Sequence, residues 1–286
     1  MISIFQAIII GLIQGLTELF PLSSLGHSVI IPSLLGWHIH QNATYFLTFL
    51  IATHLATATV LFFFFWHDWM EICKGLVRSF LAREIRSDDT YAKLGWLLVV
   101  GTIPAGILGL LFEDSLRKLF ASAQIAAGFL ILNGCILFTA EALRKRANRR
   151  ESQKQSDVQI AKLKWLQAAG IGVAQAGALI PGISRSGSAM AGGLAAGLTN
   201  EDAARFSFLL ATPIIGAAAL LKLPQLFEPS AAPLRGAIIA GALCAAFAAF
   251  ISVRFLVKYF QTKTLTPFAW YCLLAGIVFS VYLTWR

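Results

Sequence analysis

Six apolar blocks, each near the ~20 residues that carry an α-helix across a bilayer, constrain this chain more than any other feature. They span 45–66, 94–112, 123–143, 206–223, 236–256 and 267–285. Of the 286 residues, 57% are hydrophobic, 13% are charged and 22 are Phe, a balance that a soluble domain does not need. The charges fall between the blocks. The net charge of +9 therefore reads as membrane topology, and no nucleic-acid partner is expected. Cys73, Cys135, Cys244 and Cys272 are scattered without metal or disulfide spacing and read as apolar filler. The apolar start of the chain lacks a basic leader, and Glu18 and Pro21 interrupt it, so it is expected to stay in the fold.

Two further regions are broken. Residues 2–20 run into Pro21-Leu-Ser-Ser-Leu-Gly-His27, and a short apolar stretch follows to Trp37. Residues 166–180 run into Pro181-Gly-Ile-Ser-Arg-Ser-Gly-Ser188 and then a Gly/Ala-rich stretch to Leu198. Pieces too short for separate crossings around a polar break predict re-entrant hairpins, which need protein or a water-filled cavity around the bared backbone. Connection 67–93 holds five Lys/Arg and 144–164 holds eight, against two in 113–122 and none in 21–44. Positive charge thus places 67–93 and 144–164 in the cytoplasm. The two hairpins then enter from opposite sides.

The halves also match in sequence. Gln14 pairs with Gln175, Pro21 with Pro181, Ser24 with Ser184, and Phe49-Leu-Ile-Ala-Thr53 with Phe208-Leu-Leu-Ala-Thr212, at offsets of 161, 160, 160 and 159. The expected fold is an all-α integral membrane protein with about six transmembrane helices plus two re-entrant helical hairpins in an inverted-topology repeat. The chain is one membrane domain, with halves 1–143 and 165–286 joined by the basic loop 144–164.

Glu18 is the sharpest chemical signal, because a carboxylate in an apolar helix costs about 2.5–3.5 kcal/mol to insert and normally faces the bundle interior. Gln14 lies one turn earlier on the same face. The pair suits a cation or a proton; the blander reading is a structural Glu18–Arg185 ion pair. In the first break Ser23 or Ser24 caps a new helix, whose bare N–H groups favour phosphate. Gly26 follows, and His27 lies one turn from Ser24, within reach of a proton transfer. In the second break Arg185 is the one guanidinium inside a hairpin, a fork that fits phosphoryl oxygens. Ser184, Ser186, Gly187 and Ser188 add donors and permit close approach. His54, within a span, is as readily a core histidine as a site residue. His38, His40 and His67 sit at span ends and read as interfacial. Pro104 and Pro213 are expected to kink their helices.

On these motifs the chain resembles the bacterial undecaprenyl-pyrophosphate phosphatase family of the bacitracin-resistance type. Gln14-Gly-Leu-Thr-Glu18 with Pro21-Leu-Ser23-Ser24-Leu-Gly26-His27 is similar to its first motif, and Pro181-Gly-Ile-Ser184-Arg185-Ser186-Gly187-Ser188-Ala189 to its second. The resemblance spans most of the chain. It implies hydrolysis of undecaprenyl diphosphate to the monophosphate, which recycles the carrier lipid for cell-wall synthesis. It implies a divalent cation, Mg2+ or Ca2+, and a site in the bacterial inner membrane that opens to the periplasm. By the same resemblance Gln14 and Glu18 are the metal or acid/base pair, Ser24 and His27 the nucleophile and proton-transfer candidates, and Arg185 the phosphate clamp. Two positions depart from the family. Ala189 replaces the last motif threonine beside Ser188, and Leu50 stands where many members carry an acid.

The expected partners are a lipid diphosphate substrate and membrane lipids, with a homodimer left open. A polyprenyl-phosphate flippase is the competing function, since inverted repeats are common in transporters. Binding alone needs Arg185 and helix starts but neither nucleophile nor base, so Glu18, Ser24 and His27 favour chemistry. A purely structural membrane scaffold leaves the buried Glu and Arg without a purpose.

Overall fold

The computed structural model describes residues 2–39, 43–112, 122–147 and 156–285. Among these there is no strand. In chain order the helices are α1 (Ile4–Leu19), α2 (Ser24–Leu34), α3 (Thr44–Phe64), α4 (Trp66–Ala82), α5 (Thr90–Leu111) and α6 (Ala123–Ala147). The short α7 (Ser156–Ile160), then α8 (Trp165–Ala176), α9 (Arg185–Ala195), α10 (Asn200–Lys222), α11 (Arg235–Tyr259) and α12 (Thr266–Trp285) follow. Helices α3, α5, α6, α10, α11 and α12 are long and apolar enough to cross a membrane. These six are the blocks read from sequence. The expected outer segment 113–122 up to residue 121, residues 148–155 of the basic loop, and His40 lie outside the described residues. His38, past the end of α2, and His67, in the first turn of α4, are exposed. Pro104 and Pro213 lie inside α5 and α10.

Two elements differ from the apolar-block reading. Helix α10 starts at Asn200, six residues before 206, because Thr199 Oγ1 accepts the Asp202 N–H at 3.1 Å. Its acidic first turn, Glu201 and Asp202, suits the positive end of the helix but is too polar to belong to the apolar block. The connection 67–93 contains α4, an amphipathic helix that buries Ile72, Gly75 and Ser79 and turns Val77, Phe80 and Leu81 outward. It is tied to the start of α5 by Arg78, whose Nε donates to Asp89 Oδ2 at 2.7 Å, while Asp89 Oδ1 caps the Ala92 N–H at 3.0 Å.

Membrane helices gain little from burying apolar side chains against each other, since lipid is equally apolar; close packing of small residues drives their association. Helix α11 follows that rule. It buries Ala237, Gly241, Ala245, Ala248 and Ala249 and exposes Ile239, Leu243, Phe247 and Phe255.

The close contacts come in matched sets. A Cβ on Gly11 of α1 would collide with the Gly241 backbone of α11, and one on Gly172 of α8 with the Gly101 backbone of α5. The place of a Cβ on Gly241 lies against Phe49 and the Ala7 carbonyl; on Gly101 it lies against Leu210 and the Ala168 carbonyl. Ala7 and Ala168, Gly11 and Gly172, and Phe49 and Leu210 are each 161 positions apart. Helices α6 and α12 pair with each other in the same reciprocal way. Gly134 abuts Ala269 and Leu273, while Gly276 abuts Ala127 and Ile131, each match 142 positions apart. Within each broken region the second helix packs back on the first, α2 on α1 and α9 on α8. The tips of these two helix pairs meet beside α6.

At one end of the bundle, Arg205 of α10 donates to Asp157 of α7 at 2.7 Å and to Asp68 of α4 at 2.7 Å, tying the three elements together.

Candidate active site

A polar break buried in a bundle must find partners for every bared N–H and C=O. Here the two breaks supply one another. Ser23 caps α2, its Oγ accepting from Gly26 N at 3.2 Å; the same Oγ accepts from Gly182 N of the other break at 3.1 Å. Ser184 caps α9 in the same manner, accepting from Gly187 N at 3.1 Å. Ser186 Oγ returns a bond to the Phe20 carbonyl at 3.1 Å. Ser23 adopts φ 67°, a left-handed conformation that costs a non-glycine residue about 1–3 kcal/mol. The stitching to Gly182 offsets that strain. Gly26 is a glycine because the Gly182 backbone stands 3.0 Å from where its Cβ would be. The capping serines 23 and 184, like Gly26 and Gly187, lie 161 positions apart, so the register of the breaks is one residue from the Ser24–Ser184 match in sequence. In that register Ser24 corresponds to Arg185.

Above this junction the end of α1 presents Glu18, 5% exposed. Its Oε1 accepts from Arg185 Nε at 3.2 Å. Its Oε2 accepts from Ser24 Oγ at 2.6 Å and from Gln14 Nε2 at 2.9 Å, and faces His54 Nε2 at 3.3 Å. Arg185 Nη1 donates to the Ser207 carbonyl at 3.4 Å. Among the described residues, two buried atoms next to this hub have no hydrogen-bond partner, Arg185 Nη2 and Gln14 Oε1. One is a donor and the other an acceptor. An unpaired buried guanidinium N–H is costly unless a ligand completes it, and a phosphoryl oxygen is its natural complement.

The predicted residues Gln14, Glu18, Ser24 and Arg185 therefore converge, and the Glu18–Arg185 ion pair exists but is only part of the set. His27 does not join it. Its Nδ1 meets the Ser23 carbonyl at 2.8 Å and its Nε2 meets the Tyr271 hydroxyl at 2.8 Å, with the two rings stacked 5.7 Å apart. A carbonyl only accepts, so Nδ1 carries the hydrogen and the Nε2 lone pair is directed at Tyr271. Both nitrogens are occupied, and neither is bonded to Ser24. The histidine that does reach the hub is His54, whose Nδ1 donates to the Leu50 carbonyl at 2.7 Å. With an oxygen acceptor at each nitrogen, a ring carrying both hydrogens satisfies both. The Leu50 side chain joins an apolar cluster with Ile10, Phe46 and Phe49. Ser188 and Ala189 are buried one turn into α9.

Sequence reasoning missed Asn133, whose amide bonds to both breaks (3.0 Å to the Pro21 carbonyl and 3.0 Å from Ser184 N). It also missed Tyr271 and the Ser207 carbonyl. A lone Asn inside an apolar span was the available signal for the first; a backbone carbonyl leaves none.

For a hard divalent cation the site offers oxygens only, the Glu18 carboxylate and the unpartnered Gln14 Oε1. Mg2+ is commonly held in this way, by one or two protein oxygens with substrate phosphates and water completing the shell. Among the described residues no group of three or more His, Cys, Asp or Glu is arranged to hold a metal. The donor set thus fits a cation shared with a diphosphate better than a resident structural metal.

Known proteins match this chain nearly end to end. The undecaprenyl-diphosphatase of Mycolicibacterium paratuberculosis is 44% identical to this chain over 303 residues, covering 100% of the chain and 99% of that protein. Undecaprenyl-diphosphatase 2 of Frankia alni is 42% identical, with 96% of each covered. Undecaprenyl-diphosphatase 1 of Burkholderia pseudomallei is 44% identical over 278 residues, 96% of this chain and 95% of that protein. The family model described as bacitracin resistance protein BacA matches residues 7–278. On that match, nearly end to end, the chain belongs to the BacA bacitracin-resistance family of multi-pass membrane proteins.

Proposed function

We propose that this protein is an undecaprenyl-diphosphate phosphatase of the bacterial inner membrane, hydrolysing the lipid diphosphate to the monophosphate and inorganic phosphate. The observation that carries the reading is the Glu18 hub, where a hydroxyl at 2.6 Å and a guanidinium at 3.2 Å, from opposite halves of the chain, share one buried carboxylate. The matched contacts in the fold support an inverted duplication, with α1–α2 and α8–α9 as re-entrant hairpins. A site between their tips lets an isoprenyl tail stay in lipid while the diphosphate reaches polar groups. The family resemblance supports an opening toward the periplasm.

Arg185 binds the terminal phosphoryl group, its unpartnered Nη2 donating to a nonbridging oxygen. Ser24 Oγ attacks that phosphorus and passes its proton to Glu18 Oε2. The bond from phosphorus to the bridging oxygen breaks, and the lipid monophosphate leaves with the proton from Glu18. Glu18 next takes a proton from water, which attacks the phosphoserine; inorganic phosphate departs as Ser24 recovers its proton. Helix α2, beginning at Ser24, points its positive end toward the developing charge. A divalent cation held by Gln14 Oε1 and Glu18 would neutralise part of the diphosphate charge. A flippase needs the clamp but has no use for a hydroxyl bonded to a buried carboxylate, which disfavours that alternative.

The test is phosphate release from undecaprenyl diphosphate by the purified full-length protein in detergent. Arg185→Lys keeps the charge but loses the fork, so turnover should fall on the order of a hundredfold while the protein stays folded. No release by wild type would refute the enzyme reading, and near wild-type turnover by the Lys variant would refute the clamp.

A further inference from the structure

Among the described residues, Asn133 is the one side chain that bonds to the backbone of both hairpin breaks from a third element. It is fully buried in the middle of α6, amid Leu130 and Leu137. Its Nδ2 donates to the Pro21 carbonyl at 3.0 Å and lies 3.2 Å from Cys272 Sγ, and its Oδ1 accepts from Ser184 N at 3.0 Å. Pro21 stands between Glu18 and Ser24 in the chain, and Ser184 is the peptide neighbour of Arg185. Both partners are break groups that no helix ladder satisfies. The direct stitches, Ser23 to Gly182 and Ser186 to Phe20, hold one tip to the other but do not fix either against the scaffold. Asn133 does, because α6 is locked to α12 through Gly134 and Gly276. The position of α12 that matches Asn133 in the reciprocal pairing is Ala275, which has no amide to bond with.

We propose that Asn133 is a positioning residue for hydrolysis: its rigid amide sets the separation of the two breaks, and with it the alignment of Ser24 in one half with Arg185 in the other. The proposal rests on the phosphatase reading above. A buried amide with all its groups bonded is also what a plain folding clamp looks like, and the two roles predict different kinetics. A misplacement of about 1 Å between a nucleophile and a binding group costs up to ~100-fold in turnover, whereas a clamp affects melting alone.

Asn133→Leu removes both bonds while keeping the number and branching of heavy atoms. Asn133→Asp keeps the acceptor for Ser184 N and removes the donor to Pro21. Both are assayed as full-length protein on undecaprenyl diphosphate, well below the melting temperature, beside wild type. The expected result is a kcat lowered on the order of 10- to 100-fold with KM little changed. Hydrogen–deuterium exchange should be faster in peptides covering 20–27 and 181–188. A kcat within about twofold of wild type, whatever the melting temperature, overturns the proposal, as does a change confined to KM. If the Leu variant does not accumulate as folded protein, the Asp variant decides by the same criteria; failure of both makes Asn133 a folding element and also overturns it. Phosphate release by wild type reports separately on the phosphatase reading. Unchanged exchange in both break peptides sinks the proposal even where that reading stands.

Discussion

Four donors converge on the Glu18 carboxylate, from Gln14, Ser24, His54 and Arg185, and each fixes a different degree of freedom. Gln14 and Glu18 lie on one helix face, Ser24 arrives around the break, and His54 and Arg185 come from α3 and α9. Three of these contacts were legible as residues, because a polar side chain in an apolar helix must be used or paired. His27 was legible as a residue but not as a geometry. Spacing says that it shares a turn with Ser24; it cannot say that the ring turns to a tyrosine 244 positions away. For the same reason His54 looked ordinary until α3 was docked. His54→Leu should lower turnover by about 10- to 100-fold, the range for losing a group that orients a reacting one, with folding retained. A variant with unchanged turnover would remove His54 from the site. Tyr271→Phe should cost about 1 kcal/mol in stability, read from thermal melting, since it leaves the ring stack and deletes one bond.

At the scale of elements, sequence patterns found the apolar spans and both breaks. They fell short where polarity and helicity coincide. Helix α4 carries Lys74, Arg78 and Glu71 on its surface and escaped a search for apolar blocks, and α10 gained its first turn from Thr199, Glu201 and Asp202. Capping is local chemistry, and its loss is measurable. Asp89→Ala removes both the α5 cap and the Arg78 pair and should lower stability by about 1 kcal/mol, most of it from the cap. The Asp89 carboxyl is pushed up by its partial burial, but the Ala92 N–H and Arg78 outweigh that and hold it below the usual carboxylate value. The helix crossings give a sharper test. Gly11→Leu and Gly172→Leu force a side chain into matched backbone contacts, and each should destabilise by about 1–3 kcal/mol or more. Similar losses at both would support equivalent crossings, while a neutral Gly172 variant would argue against them.

At the scale of the molecule, two halves with reciprocal contacts carry different polar groups at the site. The first supplies the acid and hydroxyl, Glu18 and Ser24; the second supplies Arg185, which corresponds to Ser24 in register, and has Leu179 where the first has Glu18. That division was only partly legible, because small residues match easily by chance and the sequence offsets drifted between 159 and 161 where the matched contacts of both half-sites hold 161. By the positive-inside assignment the connection around Glu84 faces the cytoplasm, and the crossings that follow put the turn around Phe227 on the outer side. In a background without the native cysteines, Glu84→Cys should resist an impermeant thiol reagent in intact cells and Phe227→Cys should react. The reverse pattern would overturn the orientation. In the proposed reaction, phosphoryl transfer happens where the halves meet, on Ser24 with Glu18 as its base. The direct measurement is to quench wild-type protein during turnover of undecaprenyl diphosphate carrying a labelled terminal phosphate and to map the label. The label should be found as an acid-stable, base-labile phosphoserine in the peptide holding Ser24. An acid-labile, base-stable label on His27, or no protein-bound label under conditions of rapid turnover, would contradict it.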